Sequence, residues 1–161
     1  MSIKSELFDE YAVFKKSPER GSKEAKKIWG RKGIYIFLFV NEIKLTEEQI
    51  RKYNTLKGAR IKKEYIKLYN GDYSSDMCLY VGSCIHNSLY VRLRQHFRDN
   101  NSTKIGALHL GAKERAFLED KVIAYAFPIK KQFEDDLRII VPGLEYEMHN
   151  QFYPMVGSPR V

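Results

Sequence analysis

The chain has 161 residues, 43% of them apolar and 30% charged, enough for one domain with a true hydrophobic core. No apolar run is long enough to span a bilayer, and the opening MSIKSELFDEYAVFKK lacks the apolar segment of a secretory leader, so no membrane partner and a cytoplasmic setting are expected. The net charge of +8 attracts polyanions and releases their counterions, which makes nucleic acid the leading partner, against the plainer reading of a basic protein with no such partner.

Residues 1–30 are polar and rich in lysine, with SPERGS in the middle, and read as an arm or short helix leading to Trp29, which is expected to pack on the domain. GIYIFLFV, residues 33–40, has the β-branched and aromatic content of a buried strand. A polar segment starts at Asn41. Thr46 is a helix cap, with Glu47 and Glu48 in the first turn. QIRKYNTLKGARIKKEYIKLY then carries Ile50, Tyr53, Leu56, Ile61, Tyr65 and Leu68 at helical spacing, with Gly58 a point where the helix can break. NGDYSSD, residues 70–76, is a loop.

LYVG, residues 79–82, is the second strand. Asn87 or Ser88 caps a helix over about 88–99, with Leu89, Leu93 and Phe97 on one stripe. Ser102 and Thr103 start a short helix through IGALHL, and another is expected over 112–119. KVIAYAFPI, residues 121–129, is the third strand, ended by Pro128. KQFEDDLRII reads as helix, Pro142-Gly143 as a break, and LEYEMHNQF as a last helix stopped before Pro154. Cys78 and Cys84 have no second Cys or His cluster beside them, so they read as reduced packing residues and not as a zinc knuckle or a disulfide framework. The expected fold class is α+β: a small, largely antiparallel three-stranded sheet flanked by helices, in one domain over 1–161. Residues 1–30 form its N-terminal arm, and 41–76 a basic helical insertion between the first two strands.

Four pieces then fall in order along the chain: Gly33-Ile34-Tyr35, Tyr80-Val81-Gly82, Arg92 with His96, and Glu145 nine residues before Pro154. Phosphodiester cleavage requires a nucleophilic water, a base, charge stabilisation and help for the leaving oxygen. One bound Mg²⁺ (or Mn²⁺) can supply the Lewis acid, held by a single carboxylate with water and phosphate oxygens around it. Glu145 is the candidate ligand, against the plainer reading of a solvated helix carboxylate. Glu147 is its rival, but it lies about 200° round the helix, so the two do not face one site. His149, one turn on, could join a metal, although magnesium prefers oxygen. Arg92 borders the stripe of Leu89, Leu93 and Phe97, where an arginine lines a cleft, and its planar fork matches phosphate oxygens. His96, four residues later, shares its face. Arg94 and Arg98 lie on other faces and suit the DNA backbone or solvent.

In this ordered set the chain resembles the GIY-YIG nuclease family, over roughly 32–157 with one large interruption. The resemblance implies that Arg92 holds the scissile phosphate and stabilises its developing charge. It makes Tyr35 the general base or water-holder and Tyr80 a partner in orienting water or phosphate. It gives His96 a part in relaying a proton or orienting Tyr35, although a plain helix histidine is the alternative. A phenol titrates near 10, so Tyr35 is a poor base unless its pKa is lowered. Two features depart from the family. Tyr35 and Tyr80 stand 45 residues apart where a short hairpin is usual, and Gly157 stands three residues past Pro154, where the family often has asparagine.

Between Arg51 and Lys67 the insertion carries Arg51, Lys52, Lys57, Arg60, Lys62, Lys63 and Lys67 against the lone Glu64. Such a run is either a solvated helix face or a contact to the DNA backbone or a major groove. The expected function is a Mg²⁺-dependent DNA endonuclease, site-specific on duplex DNA in the manner of the family's restriction enzymes, and a homodimer if its site is palindromic. The alternatives are a nuclease for branched or damaged DNA and a nucleic-acid-binding module that does not cut.

Overall fold

Runs of β-branched and aromatic residues form one antiparallel sheet in a computed structural model that describes residues 5–41, 45–56, 61, 78–98 and 107–157. Its strands are Ala12–Phe14 (β1), Gly33–Phe39 (β2), Cys78–Cys84 (β3) and Val122–Pro128 (β4), in the order β1-β4-β2-β3. The chain is therefore α+β, with four strands rather than three. The added strand lies in what reads as an arm: Ala12, Val13 and Phe14 pair with Ala126, Tyr125 and Ala124 at the far edge. Three residues among charged neighbours give too short a period-two pattern to read as a strand, and β4 supplies the pairing that fixes it.

The helices are Lys23–Ile28 (α1), Glu47–Tyr53 (α2), Leu89–Phe97 (α3) and Leu137–Phe152 (α4), with 3₁₀ turns at Ser5–Leu7, Lys113–Leu118 and Lys131–Asp136. Each of the first three helices has a side-chain cap. Ser22 accepts from Ala25 N–H, and Ser88 accepts from Val91 N–H. Thr46 and Gln49 exchange both bonds of a capping box.

The sheet buries residues on both faces. Tyr35, Phe37, Phe39, Ala124 and Ala126 pack with Ile28, Tyr53, Leu89 and Leu93 on one side. Ile34, Ile36, Val81 and Phe127 pack with Leu137, Val141 and Met148 on the other. Leu89 and Leu93 are fully buried, worth about 2–3 kcal/mol each in seating α3 beside β2 and β3. Cys84 packs on the first side and Cys78 on the second. Among the described residues no helix is long and apolar enough to cross a membrane.

Several expected elements end elsewhere. The helix from Thr46 stops at Tyr53, because the Asn54 side chain turns to accept Ile61 N–H at 2.9 Å and Ile61 bridges to Val156. Gly58 and residues 62–77 lie outside the described residues, as do 99–106, where the helix from Ser102 was expected to begin. Its later part is not helical: Leu108 and Leu110 spend their N–H groups on His96. Pro142-Gly143 does not break α4. The proline's missing N–H deprives the Arg138 carbonyl of its donor, but Arg138, Ile139, Pro142 and Gly143 are exposed, where water can replace it. α4 ends where expected, with Tyr153 left-handed ahead of Pro154.

Candidate active site

Tyr35 stands opposite Gly82, and Phe37 opposite Tyr80, so the two tyrosines are diagonal neighbours on the α3 face of β2 and β3. Their rings stack with centroids 6.1 Å apart at 23°. A Cβ at Gly82 would fall inside the Tyr35 phenol, so only glycine lets that ring cross β3. α3 brings Arg92 and His96, one turn apart, onto the same spot. The Tyr35 hydroxyl is 2.7 Å from His96 Nε2, and Arg92 Nε donates to it at 3.3 Å. The His96 ring also lies 5.0 Å from that of Tyr80, centroid to centroid. Arg92 Nη1 donates to Gln95 Oε1 at 2.9 Å, so its fork is already oriented.

The His96 tautomer follows from its second partner. Leu108 N–H donates to Nδ1 at 2.9 Å, so in the neutral ring the proton sits on Nε2 and is given to Tyr35. The Tyr35 oxygen therefore accepts two hydrogen bonds, and its own proton points elsewhere. Burial, then the charge of Arg92 and the nearby His109, holds His96 well below its usual range. Burial, with Tyr80 and Cys84 beside it, pushes the Tyr35 phenol well above its usual range, and Arg92 does not offset this. Tyr35 is thus a neutral hydroxyl here and a poor base.

The His96 shift has a consequence for stability. Between its depressed folded value and about 6.5, the unfolded chain binds a proton that the folded chain refuses, so stability falls with acidification across that window by up to about 1.4 kcal/mol per pH unit. Urea midpoints taken at about pH 7 and about pH 5 should differ more for the natural chain than for His96→Gln. An equal difference in both would place the acid sensitivity elsewhere.

A residue that sequence reasoning passed over holds this arrangement. Arg115, in the turn Lys113–Leu118, is fully buried. It donates from Nη1 to Leu108 O and from Nη2 to Tyr53 O at 3.1 Å, with its guanidinium 3.8 Å from the Tyr53 ring centroid. Leu108 thus gives its N–H to His96 and takes Arg115 on its carbonyl. His109 beside it is left-handed, φ 47, which lets Leu110 N–H turn back to His96 O at 2.8 Å. The signal that could have found Arg115 is the apolar setting of KERAFL, whose Leu118 is also buried.

Glu145 is buried on α4, not the solvated carboxylate of the plainer reading, and Glu147 is exposed. Its Oε2 accepts from Ser83 Oγ at 2.7 Å, and its Oε1 lies 3.9 Å from His149 Nε2. Ser83 alternates with Tyr80 and Gly82, and α4 packs on the face of Ile34, Ile36 and Val81. Glu145 therefore approaches β3 from the face opposite Tyr35 and His96. The structure gathers Tyr35, Tyr80, Arg92 and His96, and brings Glu145 to the same edge strand from behind.

Gly157 has its own reason. Its φ is +85, and a Cβ there would stand 3.0 Å from the Tyr80 ring, so the asparagine of the family pattern would crowd that phenol.

Of the basic candidates, Arg51 and Lys52 are exposed in the last turn of α2, and Arg98 is exposed at the end of α3. Arg94 is engaged with Tyr90, donating to its hydroxyl at 3.4 Å with the guanidinium 5.5 Å from the ring centroid. Lys57, Arg60, Lys62 and Lys63 lie outside the described residues. No family model matches this chain, and no curated protein or solved structure does so either.

Proposed function

We propose that the chain is a Mg²⁺-dependent DNA endonuclease, with Arg92, Tyr35, Tyr80 and His96 at the scissile phosphate and Glu145 as the metal ligand. The observation that carries this reading is the hydrogen-bonded group of Tyr35, His96 and Arg92, with Tyr80 stacked on it, in a chain of net charge +8. Arg92, oriented by Tyr35 and Gln95, is ready for phosphate oxygens before substrate arrives. His96 fixes the Tyr35 oxygen, and Tyr35 and Tyr80 hold water or phosphate by hydrogen bonding.

Among the described residues no group of three or more His, Cys, Asp or Glu gathers into a protein cage for a metal. Glu145 offers a hard anionic oxygen, buried and taking the Ser83 hydroxyl proton on the face of β3 away from Arg92; a Mg²⁺ held there, with water completing its shell, would meet the phosphate only round the edge of that strand. The ion would supply a Lewis acid to the phosphoryl oxygens and to the leaving oxygen.

The test is plasmid DNA incubated with the protein in Mg²⁺ or in EDTA. Mg²⁺-dependent discrete fragments support a site-specific enzyme, and cutting confined to branched or damaged substrates supports a structure-specific one. Retardation on a gel with no cleavage in Mg²⁺ sinks the nuclease reading. That outcome belongs to a binding module, which the placement of Glu145 behind the sheet favours.

A further inference from the structure

Trp29, the chain's single tryptophan, packs on the domain through Tyr90 and is still 51% exposed. It caps the end of α1, and its segment is tied to α3 by Leu89 N–H donating to Arg31 O at 2.8 Å. That tie sets the Trp29 ring 4.7 Å from the ring of Tyr90, centroid to centroid. Arg20 stands over Trp29 at 5.4 Å, and Arg94 over Tyr90 at 5.5 Å. The result is a ladder of guanidinium, indole, phenol and guanidinium. Its rungs come from the loop before α1, the end of α1 and α3, with Tyr90 buried beneath the indole and Trp29 the exposed ring. Around it Val91 is exposed at 42%, and Lys23 and Lys26 are exposed on α1.

An exposed indole costs solvation that a buried one does not, and no core requires this one to face outward. What an exposed indole among arginines recognises is a flat aromatic ring attached to a phosphate chain. The base stacks on the indole whatever its identity, and the cations take the flanking phosphates. A paired base inside a duplex cannot offer its face, so the occupant must be unpaired.

We infer that Trp29, with Arg20, Tyr90 and Arg94, is a stacking platform for an unpaired nucleobase of a DNA strand. Tyr90 and Arg94 lie about 200° round α3 from Arg92, so the platform and the proposed phosphate site face different sides of that helix. The platform's place in catalysis rests on the nuclease reading, since it would give that enzyme a hold on unpaired nucleotides away from the cut. Its binding of a base does not depend on cleavage.

Because Trp29 is alone, tryptophan fluorescence reports on this surface only. The protein in EDTA is titrated with an oligothymidylate, with an abasic oligonucleotide of equal length, and with a blunt duplex of equal phosphate content. Quenching by the oligothymidylate and little by the other two is expected. With a labelled oligothymidylate, anisotropy should show Trp29→Ala weakening binding by roughly 5–100-fold, with Trp29→Phe recovering most of it. Equal quenching by the abasic chain would make this a phosphate site and overturn the proposal, as would wild-type affinity in Trp29→Ala. Quenching without Mg²⁺-dependent cleavage of any substrate would leave the platform standing and end the nuclease reading. Cleavage without quenching would do the reverse.

Discussion

Glu145→Gln is expected to slow Mg²⁺-dependent plasmid cleavage by at least about 10²–10³-fold, because a Lewis acid contributes several kcal/mol to the transition state at 1.36 kcal/mol per tenfold. Retardation of the same DNA on a gel should be unchanged. The substitution suits the site because the amide carbonyl can still accept from Ser83 Oγ, so the buried contact between α4 and β3 survives while the anionic ligand is lost. Ser83→Ala is the companion. It removes one hydrogen bond worth about 1 kcal/mol and leaves the carboxylate, so cleavage should persist. The pair of variants separates a metal ligand from a docking contact, since Glu145 and the tyrosine cluster meet β3 from opposite faces. Wild-type cleavage by Glu145→Gln would mean that the metal, if one acts, is held elsewhere, and that Glu145 serves only to dock α4.

What could be read from the sequence and what could not divide along a physical line. β2 and β4 are each seven residues of mostly β-branched or aromatic side chains, and such runs announce themselves, while β3 shows only the short apolar run of Leu79, Tyr80 and Val81. β1 is three residues whose identity as a strand is conferred by β4. The start of α2 was legible because Thr46 and Gln49 carry their own capping chemistry. Its end was not, because Asn54 competes for a backbone group seven residues away. The same holds at the site. The spacing of Arg92 and His96 puts both on one helix face, and the YVG turn offers the glycine that Tyr35 crosses. The His96 tautomer depends on an N–H at Leu108, and no pattern in R-x-x-x-H contains it. The opposed placement of Glu145 depends on which face of the sheet α4 covers, which the spacing from Glu145 to Pro154 leaves open.

Arg115 shows most clearly how much of this centre is tertiary. In sequence residues 112–119 read as one more short helix, yet Arg115 joins the carbonyl of Tyr53, 62 residues away, to that of Leu108. Arg115→Met keeps much of the volume and removes the donors. Two buried carbonyls would then lose their partners at roughly 1–3 kcal/mol each, so a loss of about 3 kcal/mol or more is expected. In a chain of this length that lowers Tm by about 6–12 °C, which calorimetry would read directly. A structural anchor alone predicts no more than that. A positioning role predicts a second effect: with Leu108 loosened, His96 Nδ1 loses its fixed donor, and the Tyr35 oxygen loses the Nε2 proton that orients it. The imidazole nitrogens in ¹⁵N NMR should then report a mixture of neutral tautomers where the natural chain shows one. Cleavage should fall through kcat and not KM at temperatures where the variant is fully folded. If the variant melts lower but keeps one tautomer and the wild-type kcat, Arg115 only fastens α2 to the domain, and the turn at His109 alone holds Leu108 against His96.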